Sequence, residues 1–273
     1  MPTSLPGNFA VVTVVCLCVF CVTVENDPHF IVHLPKNNMD ICFNIDSEPG
    51  HILNLVSDPG AGVVVNGQLV GSKRVGVEDK EKVNTYFGTV SVFYQPDGIR
   101  LSVSTDRIDL TDGRNNHSFT WGATADITQD RVKVSIVKDS KVMVTVDDKI
   151  TVMVLLHRAW KKHPTHVDYL GLYIPNNNQY SSQAHGLIGR SPIGPKVFNL
   201  HRGADPLKKE ATMEVKGNKL VVTRGWQKDY RRDNKRGSDV FCWFIHNSGK
   251  GFIDGHYTNY IVPRLDSFLP LPL

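Results

Sequence analysis

A two-residue rhythm of apolar and polar side chains restricts this chain to β-structure. It is cleanest from Arg131 to Leu156, where Val132, Val134 and Ile136 alternate with Lys133 and Ser135. Val142, Val144 and Val146 then alternate with Met143 and Thr145, and Asp147-Asp148 turns the chain into Lys149 to Leu156. Successive side chains of a strand point to opposite faces, so this pattern sets one face on a core. The block predicts a three-strand antiparallel meander.

The same period predicts strands at Phe30 to Leu34, Ile41 to Ile45, Ile52 to Val56, Leu170 to Ile174, Ala211 to Val215, Leu220 to Arg224 and Val240 to Ile245. Thr89 to Tyr94 and Ile99 to Val103 flank Pro96-Asp97-Gly98, while Arg107 to Leu110 and Ser118 to Trp121 flank Asp112-Gly113. Val63 to Val70 contains Asn66-Gly67, which reads as a hairpin because both residues tolerate the positive φ of a type I′ turn. Gly217-Asn218 marks a further turn, and Asn176 to Ser182 a polar loop. Leu155 to His163 is the one short helix expected, ending at Pro164. Strands joined by short turns predict an all-β sandwich or distorted barrel of antiparallel strands.

At 273 residues the chain has room for a substantial core. A net charge of +4 is too mild to argue for nucleic acid, and no nucleic-acid motif is present. Phe9 to Val24 is a nearly unbroken apolar run of 16 residues with no Lys or Arg before Lys36. Its length suits a signal-peptide core, with cleavage near Cys21 or Thr23, and is short for a membrane span of ~20 residues. A non-native start and a membrane anchor are the alternatives, since a positive leading segment is missing. A secreted protein without stable membrane insertion is expected.

Residues 1–26 are therefore read as an apolar N-terminal segment. Residues 27–263 are read as one domain, with a sub-boundary near 191–195, and residues 264–273 as a tail. Cys16, Cys18 and Cys21 fall in the apolar run, leaving Cys42 and Cys242 in the body. Two body cysteines suit one disulfide in an oxidising compartment, although two buried thiols would look the same in sequence.

Asp27-Pro28-His29-Phe30 carries the distinctive chemistry. The Asp27 carboxylate can attack its own main-chain carbonyl, and the leaving group is the ring nitrogen of Pro28. Protonation of that nitrogen breaks the bond and leaves an anhydride that water or an alcohol can open. His29 is the adjacent group able to carry a proton near neutral pH, and Glu48 is a second candidate donor. Such chemistry is single-turnover self-cleavage, not turnover catalysis. Against it stands the ordinary role of Asp-Pro as a turn marker, since Asp58-Pro59 and Asp205-Pro206 also occur.

Several stretches together resemble a known family. Val24 to Phe30, Ile41 to Gly50, Val65 to Gly71, His185 to Gly189 and Cys242 to His246 resemble the C-terminal region of inter-alpha-trypsin inhibitor heavy chains, the second type in particular. The likeness covers residues 24 to about 262. A more distant one links the chain to von Willebrand factor type D domains, which have Gly where Asn26 stands and Cys where Ile188 stands. The resemblance implies a type-D-like fold, and a cut at Asp27-Pro28. It also implies esterification of the Asp27 α-carboxyl to chondroitin sulfate of the bikunin proteoglycan, with later transfer to hyaluronan. Protease inhibition belongs to the family's complex, and no stretch here resembles an inhibitory loop. Full heavy chains carry a vault-type and a von Willebrand type A domain before this point, where this chain has 26 residues. A truncated or misassembled product, or a domain acting alone, would each account for that difference.

Other features carry less. Arg224, Lys228, Arg231, Arg232, Lys235 and Arg236 place six basic residues in 13 positions, with Trp226 and Tyr230 among them. They could grip a sulfated or carboxylated glycosaminoglycan by charge and stacking, or form a solvated loop. That makes a non-catalytic glycosaminoglycan-binding module the second reading. His157, His163 and His166 match no zinc spacing, so no metal and no cofactor are expected. Asn116-His117-Ser118 is an N-glycosylation acceptor. Hydrolase elbows, zincin motifs and phosphate loops are absent from the sequence.

Overall fold

A computed structural model describes residues 21–25, 28–34, 38–72, 83–159, 167–189, 199–203, 209–230 and 236–271. Two β-sheets enclose a shared apolar core that takes residues from both. The smaller has seven strands in the order β19 (Ile261–Val262), β4 (Ile52–Asp58), β5 (Val63–Gly71), β6 (Thr85–Tyr94), β7 (Ile99–Ser104), β8 (Arg107–Thr111) and β9 (Asn116–Thr120).

The larger sheet has twelve strands. One half runs β10 (Ala125–Gln129), β11 (Val132–Val137), β12 (Lys141–Val146), β13 (Ile150–His157) and β14 (Tyr169–Ile174). The other runs β2 (His29–Leu34), β3 (Met39–Asn44), β18 (Ser238–Ile245), β17 (Asn218–Asp229), β16 (Glu210–Val215) and β15 (Asn199–Arg202). Between β14 and β2 lies β1 (Cys21–Glu25), antiparallel to both.

The fold is the expected all-β sandwich, and no closed barrel forms. Alternation places Val132, Val134, Ile136, Val142, Val144, Val146, Ile150, Val152, Val154 and Leu156 in the core. The β12–β13 turn does fall at Asp147-Asp148, both with φ of +53°. Among the described residues no helix is long and apolar enough to cross a membrane.

Four local expectations change. The Asn66-Gly67 pair does not turn; it lies inside β5, which continues to Gly71. Burial decides this, because the Asn66 amide donates to the carbonyls of Leu265 and Ser267 at 3.1 and 2.9 Å, and Gly67 lies against Phe87. Leu155–His157 is the end of β13, not the start of a helix, since Leu156 continues the two-residue period into the core; residues 160–163 lie outside the described part. The β16–β17 turn sits on Lys216-Gly217, one position early, because these two take the left-handed φ values of +50° and +78°. The strand from Leu220 to Arg224 extends to Asp229 as β17.

The β body also starts before residue 27. Val22 and Val24 of β1 are 2% and 0% exposed, so part of the apolar run belongs to the core. A signal-peptidase cut near Cys21 or Thr23 would remove or shorten a strand that fills the sheet. Beyond residue 263, Leu269 is tied to the body as well. Leu269 N–H donates to Ser57 Oγ at 2.9 Å, and the Leu269 carbonyl accepts from His185 Nε2 at 2.8 Å. Gly186 and Gly189 let their segment lie close against β4, since a Cβ at Gly186 would lie 2.7 Å from Asn54 Oδ1 and one at Gly189 2.0 Å from the His185 carbonyl and 3.1 Å from Val56 Cα.

A Cβ at Gly67 would sit 2.4 Å from Phe87 Cε1, and the Phe87 ring is only 1% exposed. Gly67→Ala is therefore expected to lower stability by about 1–3 kcal/mol through overpacking, measured by urea unfolding. An unchanged midpoint would mean the ring yields freely.

Candidate functional site

The site grows out of the β1–β2 connection. Glu25 pairs with His29, so β1 ends and β2 begins within four residues of each other in sequence. Asn26 and Asp27 lie outside the described residues; Pro28 is buried. Proline has no N–H to give a ladder, which suits it to the position just before a strand. Its carbonyl is held, accepting the Ile45 N–H at 3.1 Å.

β2 then alternates. Phe30, Val32 and Leu34 enter the sandwich core, where the Phe30 and Phe43 rings stack 4.9 Å apart. His29 and Ile31 occupy the opposite face, and that face is buried too. Ile31 joins Cys42 and Cys242 in a small second cluster, with Val240 and Phe244 packed on it.

His29 pairs across the ladder with Asn44, and its Nδ1–H donates to Asn44 Oδ1. Its ring stacks on Phe244 at 5.8 Å. The Nε2 atom is buried and has no hydrogen-bond partner among the described residues. Burial lowers the pKa of His29 below its usual value, and the Asn44 bond offsets this only in part. The neutral ring, with its proton fixed on Nδ1, presents a lone pair at Nε2; only the protonated ring can donate there.

Glu48 is differently placed. Its side chain is exposed and its carboxylate lies 3.9 Å from His51 Nε2, so His51 is its partner in the structure.

Cys42 and Cys242 form a disulfide between β3 and β18. These strands pair in parallel, the one parallel ladder among the described strands. The bridge therefore locks the junction between two antiparallel blocks. In the chain-entropy view, closing a loop of 200 residues restrains the unfolded state by at most about 5 kcal/mol.

The basic segment is only partly described, since Arg231, Arg232 and Lys235 lie outside the described residues. Arg224, Trp226 and Lys228 sit at alternate positions of β17 and so share a face. Arg224 lies over the Phe241 and Trp243 rings at 4.3 and 5.1 Å, and Lys228 pairs with Asp239 at 2.8 Å. That pairing raises the Lys228 pKa. Trp226 is 64% exposed and stacks on Phe241 at 4.6 Å, while Arg236 is exposed.

Asn116 is exposed at the start of the edge strand β9, with Ser118 Oγ donating to Asp109. Among the described residues no group of three or more His, Cys, Asp or Glu could hold a metal. His157 is buried against Tyr169 at 4.7 Å, and His163 and His166 lie outside the described residues. A cleft of about 680 Å³ bordered by Pro59, Tyr94, Arg131 and Tyr180 lies elsewhere, and no residue of the β1–β2 site lines it.

The family model for the C-terminus of the inter-alpha-trypsin inhibitor heavy chain matches residues 60–247. The protein belongs to the inter-alpha-trypsin inhibitor heavy-chain family. It is 56% identical over 251 residues to the human inter-alpha-trypsin inhibitor heavy chain H2, covering 91% of this sequence and 26% of that one. The pig H2 heavy chain is 53% identical over the same shares, and the human H1 heavy chain 46% over 89% of this sequence and 27% of its own. The protein thus spans about a quarter of the length of these heavy chains.

Sequence reasoning missed Asn44, Ile45 and Phe244 as members of the site. An Asn closing the apolar strand Ile41-Cys42-Phe43 was the one available signal for Asn44; Phe244 comes from 200 residues later and gave none.

Because burial depresses the His29 pKa, folding favours its neutral form. That stabilisation is complete above the unfolded value of about 6.5 and is lost as pH falls through the lower folded value. Unfolding midpoints in urea should drop between pH 7 and pH 5, and His29→Gln should make that drop shallower. Parallel pH profiles for the two proteins would remove His29 from the account.

Proposed function

We propose that this protein is the propeptide-type C-terminal domain of a heavy chain, holding the Asp27-Pro28 bond for self-cleavage and ester transfer in an extracellular, secreted proteoglycan system linked to hyaluronan. The observation that carries this reading is the pocket around His29: a buried imidazole next to Pro28, oriented by Asn44, with Nε2 unpartnered among the described residues.

The chemistry is redox-neutral and needs no cofactor. The Asp27 side-chain carboxylate attacks its main-chain carbonyl carbon, the C–N bond to Pro28 breaks, and the Pro28 nitrogen leaves as an amine with a proton from protonated His29. A hydroxyl of chondroitin sulfate then opens the cyclic anhydride at the α-carbonyl and gives up its proton, leaving an ester and a free side-chain carboxylate. The anchored Pro28 carbonyl supports this by fixing one side of the scissile bond.

Two protonation states must coincide: an ionised Asp27 and a charged His29. Cleavage should speed up as pH falls from 8 to mildly acidic values, then slow as the Asp27 carboxyl protonates near about 4. Intact mass of the full-length protein is expected to reveal a new N-terminus at Pro28 in the wild type and none in Asp27→Asn. His29→Gln should slow cleavage roughly 100-fold and flatten the rise toward acid. Equal masses for wild type and Asp27→Asn would dismiss the acyl chemistry.

A second reading has its own support: Trp226 stands exposed between Arg224 and Lys228 on one strand face, the arrangement for gripping a sulfated glycan without chemistry. Lys228→Gln and Trp226→Ala should each elute from a chondroitin sulfate column at lower salt than the parent. Unaltered elution in both would remove this reading.

A further inference from the structure

Strand β1 lies immediately upstream of the bond proposed for cleavage, yet it is an interior strand of the sheet. It pairs with β14 through Val22–Ile174, Thr23–Tyr173 and Val24–Leu172, and with β2 along its whole length from Cys21–His33 to Glu25–His29. Among the described strands it is the one hydrogen-bonded link between β14 and β2. Val22, Thr23 and Val24 are buried, and the cross-strand neighbours Leu172, Ile174, Phe30 and Val32 are buried with them.

We propose that β14 and β2 form a strand-acceptor slot, and that the segment upstream of the cut stays in it. Cleavage then converts one polypeptide into a non-covalent complex: the fragment ending at Asp27 remains docked through β1, and the rest of the domain holds it. The occupant is defined by its chemistry. It is an extended segment with small β-branched residues at alternate positions, ending two residues before the newly formed acyl group. This inference rests on the self-cleavage reading only for the origin of the nick, and not for the slot itself.

The physical reason is what removal would expose. Withdrawing β1 uncovers two facing rows of unpaired N–H and C=O groups, on β14 and on β2, in the middle of a sheet. It also uncovers the apolar side chains that Val22 and Val24 cover. Breaking the covalent link next to His29 removes none of these contacts. A docked fragment also keeps the acyl carbon beside the domain while an alcohol arrives, so that dissociation is governed by opening of the sheet.

The test separates retention from self-cleavage by making the nick with another agent. A recognition sequence for a site-specific protease is inserted between Asn26 and Pro28 of the full-length protein in the Asp27→Asn background, and the nicked protein is run on a sizing column with and without denaturant. Expected are co-elution of both pieces in native buffer and separation in denaturant. Val24→Asp in the same protein should raise the released fraction at least ~10-fold. Loss of the small piece in native buffer, with a folded remainder by circular dichroism, would overturn the proposal.

If the insertion prevents folding, hydrogen exchange on the unmodified protein decides. Amides of Val22 to Val24 should exchange as slowly as those of β2, whereas exchange at the rate of exposed loops would refute an interior strand. The Asp27→Asn mass comparison answers separately whether the protein cuts itself.

Discussion

The structure depends on one five-residue strand lying in the middle of its larger sheet. β1 joins the β10–β14 meander to the block that runs from β2 to β15, and it does so with hydrogen bonds on both edges. Burying Val22 and Val24 contributes on the order of 1.5–3 kcal/mol each, but the larger consequence is topological. Without β1 the sheet becomes two, each with a raw edge facing the other. A bond set directly after such a strand is tied to the stability of the whole fold.

On the other side of that bond the backbone is held just as firmly. Pro28 is anchored by Ile45, Phe30 stacks on Phe43, and β3 is fixed to β18 by the Cys42–Cys242 bridge. Residues distant in sequence therefore converge on Pro28 and the start of β2. His29 lies where two apolar clusters meet, between the sandwich core under Phe30 and the disulfide cluster under Phe244. Its lowered pKa is a consequence of that burial. The same packing that stabilises the domain leaves the histidine Nε2 without a partner among the described residues and displaces its titration toward acid.

The basic segment shows how tertiary partners redefine charge. In sequence it is a run of cations, but Lys228 is paired with Asp239, and Arg224 is spread over two aromatic rings. What remains on the described surface is an exposed tryptophan with cations flanking it, a narrower feature than the composition suggests. The Asn66-Gly67 pair teaches the same lesson in reverse. A dipeptide suited to a tight turn is drawn into a strand because its amide satisfies C-terminal carbonyls and its missing Cβ leaves room for Phe87.

Local pattern alone determined much of this protein: the β class, the meander from β11 to β13, and the turn at Asp147-Asp148. Each follows from neighbours in sequence, where strand period and turn preference are short-range properties. Only the tertiary structure decided that Cys21–Glu25 is an interior strand, that Asn44 and Phe244 frame His29, that Leu155–His157 stays extended, and that Glu48 turns toward His51. Those depend on which buried surfaces and hydrogen-bond donors meet across long separations, and a two-residue period says which face is apolar without saying what will cover it.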